Sequence, residues 1–554
     1  MKNTHKYKPY PTMPMASRQW PSRQMSKAPQ WCSVDLRDGN QALEIPMNLD
    51  QKLRFFQQLV DMGFKAIEIG FPAASDTEFA FTRYLIEHNL IPDDVAIQVL
   101  TQSRQHIIEK TFAALKGVKK AVVHLYNSTS MLQRDVVFRM DRAQCIDLAV
   151  FGARMVQQIA SADTHGSDFI FEYSPESFTG TEMDYAVSIC DAVCDVWQPT
   201  PDKKVIINLP ATVEMSTPNI YADQIEYFCT HTRHRESILV SLHAHNDRGT
   251  AVAATELALL AGADRVEGTL FGNGERTGNA DLVALALNLY SQGIDPQLDF
   301  SNINQLIDIY EETTRMQVHP RHPYAGDLVY TAFSGSHQDA INKGMAAMKN
   351  HPDHWEVPYL PIDPRDVGRS YDPIIRINSQ SGKGGVAYIL EQQYGLVLPK
   401  PVQQAFSQIV TRVSDERNSD LLPEAIHQLF YDSYVDIIKP LKLISYREAM
   451  LDDQHVEMTA TLQHNGRQIT VTGQGNGLLD AFCAALQAYL KAKIEITAYQ
   501  QHALERGSTS KAITYVQMQN GGIQLYIGAG ISSSISKSSL RAVISAVNQM
   551  PLGS

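Results

Sequence analysis

The sequence predicts a closed (β/α)8 barrel, followed by a mostly helical connector and a C-terminal α+β module. Three observations predict this architecture. The chain has 554 residues, too many for one ordinary core. Short β-rich runs alternate with longer amphipathic stretches through residues 31–292, and the final segment repeats a strand-then-helix pattern. We predict an N-terminal arm over 1–30, the barrel over 31–305, connector subdomains over 306–435 and the terminal module over 436–554.

Eight short apolar runs are the expected strands of the (β/α)8, or TIM, barrel. Strand alternating with helix predicts a parallel sheet, and eight repeats in roughly 260 residues fit a closed barrel. An open doubly wound sheet is the alternative, but it would need a glycine-rich phosphate loop where this sequence has Arg37-Asp38-Gly39-Asn40. The predicted strands are Trp31–Leu36, Ala66–Gly70, Val95–Leu100, Ala121–Tyr126, Phe169–Tyr173, Val205–Leu209, Ile238–His243 and Val266–Phe271.

The connector has a mixed, mostly helical pattern with three prolines between 358 and 364. Its glycine-rich run Ser381–Gly385 contains Lys383 but lacks the GxxxxGK[ST] spacing of a phosphate-binding loop. We therefore interpret this run as a mobile connecting segment.

The terminal module is predicted as two β-β-β-α units. Alternating apolar residues and the hairpin signals Asn465-Gly466 and Asn520-Gly521 indicate antiparallel strands. The pattern locates strands at Val456–Leu462, around Ile469 and Val471, and near Ile494–Ala498, Ile513–Met518 and Ile523–Ile527, with helices at Leu478–Leu490 and Ser538–Asn548.

Charge and hydropathy exclude several classes of protein. The net charge of -12 and the pI of about 5.8 argue against sequence-independent binding of nucleic acid, which requires a basic surface. No apolar run is long enough to predict a membrane span. Residues 1–30 lack the apolar stretch of a secretory signal. We interpret them as an extended arm, with a neighbouring subunit as the surface on which it would pack.

The six cysteines are few for the chain length, and most lie in apolar helical patterns. This usage indicates buried thiols in a reducing, cytoplasmic environment. Cys190 and Cys194 are four residues apart, which invites a zinc interpretation, but no second ligand pair follows them. We favour buried thiols for this pair.

Polar and ionisable side chains gather where the predicted strands end. In a barrel of this kind, functional groups lie at the carboxyl ends of the strands. A barrel kept only for structure would have no reason to collect such residues from six of its eight strands. They are Arg37 and Asp38, His124 and Tyr126, Glu172 and Glu176, Thr212 and Glu214, His243 to Asp247, and Gly272 to Asn279.

His243 and His245 predict a metal site. Residues two apart on a strand point to the same face, so both imidazoles can reach one ion. Imidazole together with carboxylate suits a borderline or hard divalent metal. Asp38 is the expected third ligand, because strands one, seven and eight are contiguous in a closed barrel, and Asn279 could add a carbonyl oxygen. The alternative is a pair of hydrogen-bonded surface histidines.

Four segments of the chain closely resemble the 2-isopropylmalate synthase family in its longer form. The resemblance extends over nearly the whole chain, including Ser334–Asp339 and the repeated module. The Arg-Asp-Gly and His-x-His-Asn-Asp motifs alone are shared with homocitrate and citramalate synthases and with 3-hydroxy-3-methylglutaryl-CoA lyase, so they indicate only the superfamily. The segments are Trp31–Gln41, Phe171–Ser177, Ser241–Gly249 and Gly268–Arg276.

The resemblance implies a role for each candidate residue. It implies a divalent ion, Mg²⁺, Mn²⁺ or Zn²⁺ depending on the family member, and activation by a monovalent cation such as K⁺. The implied metal ligands are Asp38, His243, His245 and Asn279. Around the 2-oxo acid, Arg37 would meet the keto oxygen, Thr212 would contact the carboxylate, and the side chain would lie near Glu176, with His124 and Tyr126 also in the substrate pocket. Glu275 and His337 would transfer the acetyl proton, and Tyr359 would come from the partner subunit's connector.

The resemblance also implies the reaction. Acetyl-CoA would condense with 2-oxoisovalerate, and hydrolysis of the thioester would give 2-isopropylmalate and CoA, the first committed step of leucine biosynthesis, in a homodimer inhibited by leucine. A homocitrate or citramalate synthase is the first alternative, and the shape of the pocket would decide between them. A carbon–carbon lyase and a non-catalytic amino-acid sensor are further alternatives, which the terminal module and the intact ligand set disfavour respectively.

The segment Gly473–Gly477, just before a predicted helix, has two interpretations. Gly475, Asn476 and Gly477 would cradle leucine, as the family resemblance implies. The other interpretation is a strand-to-helix turn that needs positive φ. The serine-rich run Gly530–Lys537 departs from the loop expected of the family, so the affinity for leucine would differ.

Overall fold

The first part of the chain forms a closed, parallel eight-stranded barrel, as predicted. The computed structural model describes residues 6, 8–331, 335–348, 354–371, 383–417, 421–452, 454–504, 507, 510–520 and 524–551. The strands pair in chain order, and β8 closes the barrel on β1. They are β1 Gln30–Ser33, β2 Ala66–Gly70, β3 Ala96–Gln102, β4 Lys120–Ser128, β5 Asp168–Glu176, β6 Val205–Ala211, β7 Ile238–Ala244 and β8 Arg265–Gly268.

An α-helix follows each strand and packs on the outside of the barrel. Local signals start several of them: the side chains of Asn48 and Asp141 form capping boxes at the first and fourth helices. The helices are α1 Leu49–Asp61, α2 Asp76–Glu87, α3 Gln105–Leu115, α4 Arg142–Ser161, α5 Met183–Trp197, α6 Pro218–His231, α7 Ala251–Leu260, α8 Leu282–Ser291 and the additional α9 Ile303–Thr314.

The first and last barrel strands end earlier than predicted, at Ser33 and Gly268. A π-helical turn, Asp35–Gly39, follows β1. The Asp35 carboxylate accepts hydrogen bonds from the Ser33 hydroxyl (2.7 Å) and from the Leu270 amide (3.0 Å). These contacts bind the two strand ends to each other, so the chain leaves the sheet before the residues of the Arg-Asp-Gly motif.

The N-terminal arm lies on its own barrel around Trp20, and its expected packing on a neighbouring subunit stays a prediction. Trp20 is buried, and its indole donates to the Asp223 carboxylate of α6 at 2.9 Å. The main-chain amides of Gln19 and Trp20 donate to Glu226, also on α6. Side chains inside the same chain therefore fix the arm.

All six cysteines are free thiols; five are buried and Cys229 is partly buried. Burial raises the pKa of each of them, to about 11 for Cys229 and about 12 for Cys483. Cys190 and Cys194 lie inside α5 as buried thiols, as favoured from the sequence.

In the described residues after α9, four α-helices are followed by two similar β-β-β-α units, as predicted. The hairpin signal at Asn465 and Gly466 is confirmed, with φ of 47° and 88°. The second signal and the glycine-rich run at Ser381–Gly385 lie partly outside the described residues. The helices are α10 Gly335–Met348, α11 Lys383–Tyr394, α12 Lys400–Arg417 and α13 Pro423–Tyr434; the first unit is β9 Leu441–Met450, β10 Val456–His464, β11 Arg467–Gly475 and α14 Leu478–Leu490; the second is β12 Glu495–Ala503, β13 Ala512–Gln519, β14 Tyr526–Ser532 and α15 Ile535–Val547.

Each unit of the module has one antiparallel three-stranded sheet, in the orders β11-β10-β9 and β12-β13-β14. The sequence pattern did not locate β9. The chain divides into two compact units, residues 1–329 with 360–368, and residues 330–359 with 369–554. Among the described helices, none is both long and apolar enough to cross a membrane.

Candidate active site

A cavity of about 310 Å³ lies at the carboxyl ends of the barrel strands and brings together many of the polar residues predicted there, whereas Glu172, Glu214 and Asp247 are not among its lining residues. Its lining includes Arg37, Asp38, His124, Tyr126, Glu176, Thr212, His243, His245 and Glu275. His337 and Tyr359 belong to the other compact unit, where their rings stack with centroids 4.1 Å apart. Their roles at the cavity stay predictions.

Asp38, His243 and His245 form a buried cluster. The Nε2 atoms of the two histidines lie 3.4 and 3.6 Å from Oδ2 of Asp38. Ligand atoms at about 2.1 Å from one ion are about 3.0 Å apart in octahedral and about 3.4 Å apart in tetrahedral geometry, so the observed spacing is close to that of a divalent cation site. The cluster is one of two groups with this spacing among the described residues.

The protonation of the cluster is set by its neighbours. Burial favours the neutral form of Asp38, but the charge of Arg37 and the hydrogen bond from His243 outweigh it and hold the pKa of this carboxyl well below its usual range. Burial and then the charge of His243 lower the pKa of His245 to about 4. Burial alone would lower the pKa of His243, but Asp38 and Glu267 raise it to about 9. A bound metal would therefore have to displace a proton from His243.

Asn279 provides an independent indication that a cation fits here. Its Nδ2 donates to Oδ2 of Asp38 (2.8 Å), which places the side chain against the cluster. Its Oδ1 is buried and has no hydrogen-bond partner among the described residues, and the same holds for Nδ1 of His245. An unpaired buried oxygen is costly, so a ligand that accepts its lone pair would stabilise this arrangement.

Arg37 is fixed at the edge of the cavity by two carboxylates. Its Nε donates to Glu68 at 2.5 Å, and its Nη1 lies 3.2 Å from Asp38. Burial opposes its charge, but these carboxylates, Glu68 foremost, raise the pKa of Arg37. Its cation is thus permanent and its orientation set before substrate arrives.

Thr212 lines the cavity, and its side-chain oxygen is held by a main-chain amide. Its Oγ1 accepts from the Ser177 amide at 2.8 Å, which leaves the hydroxyl proton for another acceptor. Ser177 has a φ of 61°, a left-handed conformation that is uncommon for a residue with a side chain. The carbonyl of Thr212 accepts from Arg276. The geometry suits the predicted contact with a substrate carboxylate.

The residues predicted beside the substrate side chain are also held in place. The Ser128 hydroxyl donates to the Glu176 carboxylate. His124 contacts Glu68 through Nδ1 (2.9 Å) and Ser174 through Nε2 (2.7 Å). Gln102 donates to the Tyr126 hydroxyl at 2.6 Å. His124, Tyr126 and Glu176 thus line the same cavity as Asp38, His243 and His245, each held by a hydrogen bond.

The loop after β8 carries Glu275 and Asn279 and requires glycine at two positions. A Cβ at Gly278, whose φ is +94°, would lie 1.8 Å from the carbonyl oxygen of Gly272. A Cβ at Gly274 would lie 2.1 Å from Nδ2 of Asn279. The glycine-rich composition therefore serves the close folding of this loop.

His322 stabilises this loop through an ion pair of 2.5 Å with Asp281, which also caps α8. The neighbouring Asp281 raises the pKa of His322 despite burial. The pair's contribution is thus complete below the unfolded-state pKa of about 6.5 and declines as pH rises through the folded-state pKa. We expect His322→Gln to lower the free energy of unfolding by about 1.5–3 kcal/mol at about pH 6, and by much less at about pH 9. Urea denaturation at both pH values measures this; an equal loss at both would contradict it.

Sequence reasoning missed the buried charges beneath the cavity. Glu267 accepts from His243 Nδ1 at 2.9 Å and so fixes which nitrogen faces Asp38. Arg265 donates to Glu267 (2.8 Å) and Gln98 (2.7 Å) inside the barrel. The available signal was a charged residue within a short apolar strand, as at Glu68 in β2.

The glycines proposed as a leucine cradle have packing roles of their own. A Cβ at Gly473 would lie 2.3 Å from the Ala481 carbonyl oxygen, and one at Gly475 would lie 2.6 Å from the Ala481 amide nitrogen. The second unit repeats this close approach at Gly528 and Gly530 beneath α15. Positive φ is not the reason for glycine at position 477, where φ is -177°. Gly477 has open space around its Cβ among the described residues.

The closed barrel, its polar cavity and the buried Asp-His-His cluster define a metal-dependent barrel enzyme. Family models match three stretches of the chain: HMGL-like over residues 28–309; Alpha-isopropylmalate synthase, post-catalytic domain-like, over 327–391; and LeuA allosteric (dimerisation) domain over 420–551.

Relatives named 2-isopropylmalate synthase match nearly the full length. The protein of Acetoanaerobium sticklandii is 61% identical, covering 99% of this chain and 97% of its own. Those of Clostridium acetobutylicum and Rhodospirillum rubrum are 54% and 53% identical, with 98–99% of both chains covered. The chain belongs to the 2-isopropylmalate synthase family, which confirms the family predicted from its motifs.

Proposed function

We propose that this chain condenses acetyl-CoA with 2-oxoisovalerate and hydrolyses the thioester to 2-isopropylmalate and CoA. The observation that carries the proposal is the meeting of Asp38, His243 and His245 with Arg37 and Thr212 in one cavity. A cation site beside a fixed guanidinium and a hydroxyl donor suits a substrate with adjacent keto and carboxylate groups.

Asp38, His243, His245 and Asn279 would hold the divalent ion, which we propose is Mg²⁺, with Mn²⁺ and Zn²⁺ as alternatives and K⁺ as an activator. When bound, the ion supplies Lewis-acid polarisation of the keto group. Arg37 donates to the keto oxygen and stabilises its developing negative charge. Thr212 donates to the carboxylate and fixes the angle at which the keto carbon is presented.

Glu275 and His337 are proposed to move the proton of the acetyl methyl group. Glu275 lines the cavity, so its carboxylate is placed to act on a group bound there. Tyr359 would reach a cavity from the connector of the partner subunit in a homodimer, and the placement of His337 would depend on how connector and barrel dock. The match to the LeuA allosteric (dimerisation) domain supports both the dimer and leucine as the inhibitor.

A panel of oxo acids tests the reaction. Purified protein with Mg²⁺ and acetyl-CoA should release thiol fastest, by at least about tenfold in kcat/KM, with 2-oxoisovalerate. Pyruvate and 2-oxoglutarate are the comparison substrates, because they would give citramalate and homocitrate. Preference for either would assign the chain a sister activity, and release without any oxo acid would contradict condensation.

Gly477→Ala tests the proposed leucine site. The added methyl group enters open space, so the fold should be unaffected, whereas a ligand held by this segment would be displaced. We expect the half-inhibitory leucine concentration to rise at least about tenfold, measured as thiol release at saturating substrate. Gly473→Ala is the control for packing and should lower the melting temperature. Unchanged inhibition in Gly477→Ala would place leucine elsewhere.

A further inference from the structure

The N-terminal arm is attached to α6 by charge and hydrogen bonds. Asp223 is fully buried and accepts from Arg18 Nε at 2.7 Å and from the Trp20 indole at 2.9 Å. Glu226, which is 3% exposed, accepts from the amides of Gln19 (3.1 Å) and Trp20 (3.0 Å). Both carboxylates accept hydrogen bonds from the arm, and these charge-assisted bonds fix its position on α6.

From this attachment the arm reaches the carboxyl face of the barrel. The Tyr10 hydroxyl accepts from Gln224 Nε2 of α6 at 3.0 Å and donates to the carbonyl oxygen of Thr179. Thr179 belongs to the 3-10 turn Phe178–Gly180 just after β5. Tyr10 therefore joins α6 to a turn at the rim of the cavity.

The same turn holds the segment after β6. Thr179 Oγ1 donates to the Val213 carbonyl at 3.0 Å, and the Ser177 amide donates to Thr212 Oγ1 at 2.8 Å. Ser177 adopts left-handed φ, a conformation that persists only where surrounding contacts enforce it. A displacement of the turn would therefore change the direction of the Thr212 hydroxyl.

We propose that the N-terminal arm is a positioning element for the oxo-acid carboxylate, acting from Tyr10 through the 177–180 turn on Thr212. This inference rests on the proposed function, because that proposal assigns the carboxylate to Thr212. Tyr10 is a positioning residue and touches no substrate. Its removal should weaken oxo-acid binding and leave the chemistry and the acetyl-CoA site almost unchanged.

A double-mutant cycle on the full-length protein tests the inference. Tyr10→Phe removes one hydroxyl, and we expect the KM for 2-oxoisovalerate to rise about threefold to tenfold, the value of one hydrogen bond, with kcat and the KM for acetyl-CoA changed less than about twofold. Thr212→Val should raise the same KM by more. In the double variant, Tyr10→Phe should add nothing, because its effect passes through Thr212. Thr12→Val, at an exposed arm position, is the matched control.

The outcomes separate the two proposals. An unchanged KM for the oxo acid in Thr212→Val would overturn the proposed carboxylate contact. If Thr212→Val raises the KM but Tyr10→Phe does not, or if the two effects multiply in the double variant, the positioning role of the arm is wrong and the proposed function stands. Arg18→Gln offers a second approach, because it loosens the arm on α6 and should reproduce the Tyr10→Phe kinetics. Limited proteolysis shows whether the arm is released. Wild-type kinetics with a released arm would also overturn the inference.

Discussion

Replacing His245 with alanine should abolish condensation and bound metal while leaving the barrel folded. The substitution removes one of the three side chains that cluster at the predicted metal site. Residues that only hydrogen-bond to a metal ligand already contribute about 10- to 100-fold to metal affinity or activity, so the loss of a ligand itself should cost more. We therefore expect a loss of more than about 100-fold in kcat/KM. The fold should persist, because the main chain at this position is held by the bond from its amide to the Ala211 carbonyl (3.2 Å), which alanine retains.

Two measurements accompany the kinetics. Metal content of the purified protein, determined by elemental analysis after dialysis, should fall from near one ion per chain to a trace, and the melting temperature should show whether the fold is intact. His106→Ala, on the exposed face of α3, controls for the loss of a histidine. Normal turnover by the variant in the presence of a chelator would refute the metal site.

Glu275→Gln should lower kcat by about 10²- to 10⁴-fold, the usual contribution of a positioned acid or base. The amide keeps the size of the side chain but cannot accept the methyl proton, so the KM for either substrate should change little. Slower proton removal should also increase the deuterium isotope effect with acetyl-CoA labelled in the methyl group.

The control for Glu275→Gln is the same substitution at an exposed position outside the tightly folded loop. Glu109→Gln makes the same chemical change on the exposed face of α3 and should leave kcat unaltered. A Glu275→Gln protein with wild-type kcat and an unchanged isotope effect would remove Glu275 from the reaction and leave His337 as the remaining candidate for the proton.

The sequence was informative wherever one face of an element is buried. Alternation of strand and helix predicted the closed barrel, and the limits of α14 at Leu478 and Leu490 agree with its apolar periodicity. The spacing of His243 and His245 predicted two imidazoles on one face, which the structure brings to Asp38. By contrast, β9 was not found, because most of its residues are exposed and no alternation marks it.

Contacts between residues distant in the chain determine two features that the sequence pattern did not predict: where β1 and β8 end, and which side chains contact the buried carboxylates. The ends of β1 and β8 depend on the bond between Asp35 and Leu270, residues that are distant in the chain. Arg37 and Asp38 follow β1, as predicted, but they lie on a π-helical turn that no local pattern in the sequence indicated. Glu68 contacts His124 of β4, and Glu267 contacts His243 of β7, so periodicity along one strand reveals a buried charge without revealing its partners on other strands.

The burial of the cysteines has a practical consequence for measuring turnover. Dyes that detect thiols react with the thiolate, and the raised pKa of every cysteine keeps its thiolate scarce near neutral pH. Colour from such a dye should therefore follow released CoA with little background from the folded chain. If a variant reacts with the dye before substrate is added, its buried cysteines have become accessible and its core has partly unfolded. The same reagent therefore measures both catalysis and the folding of each variant.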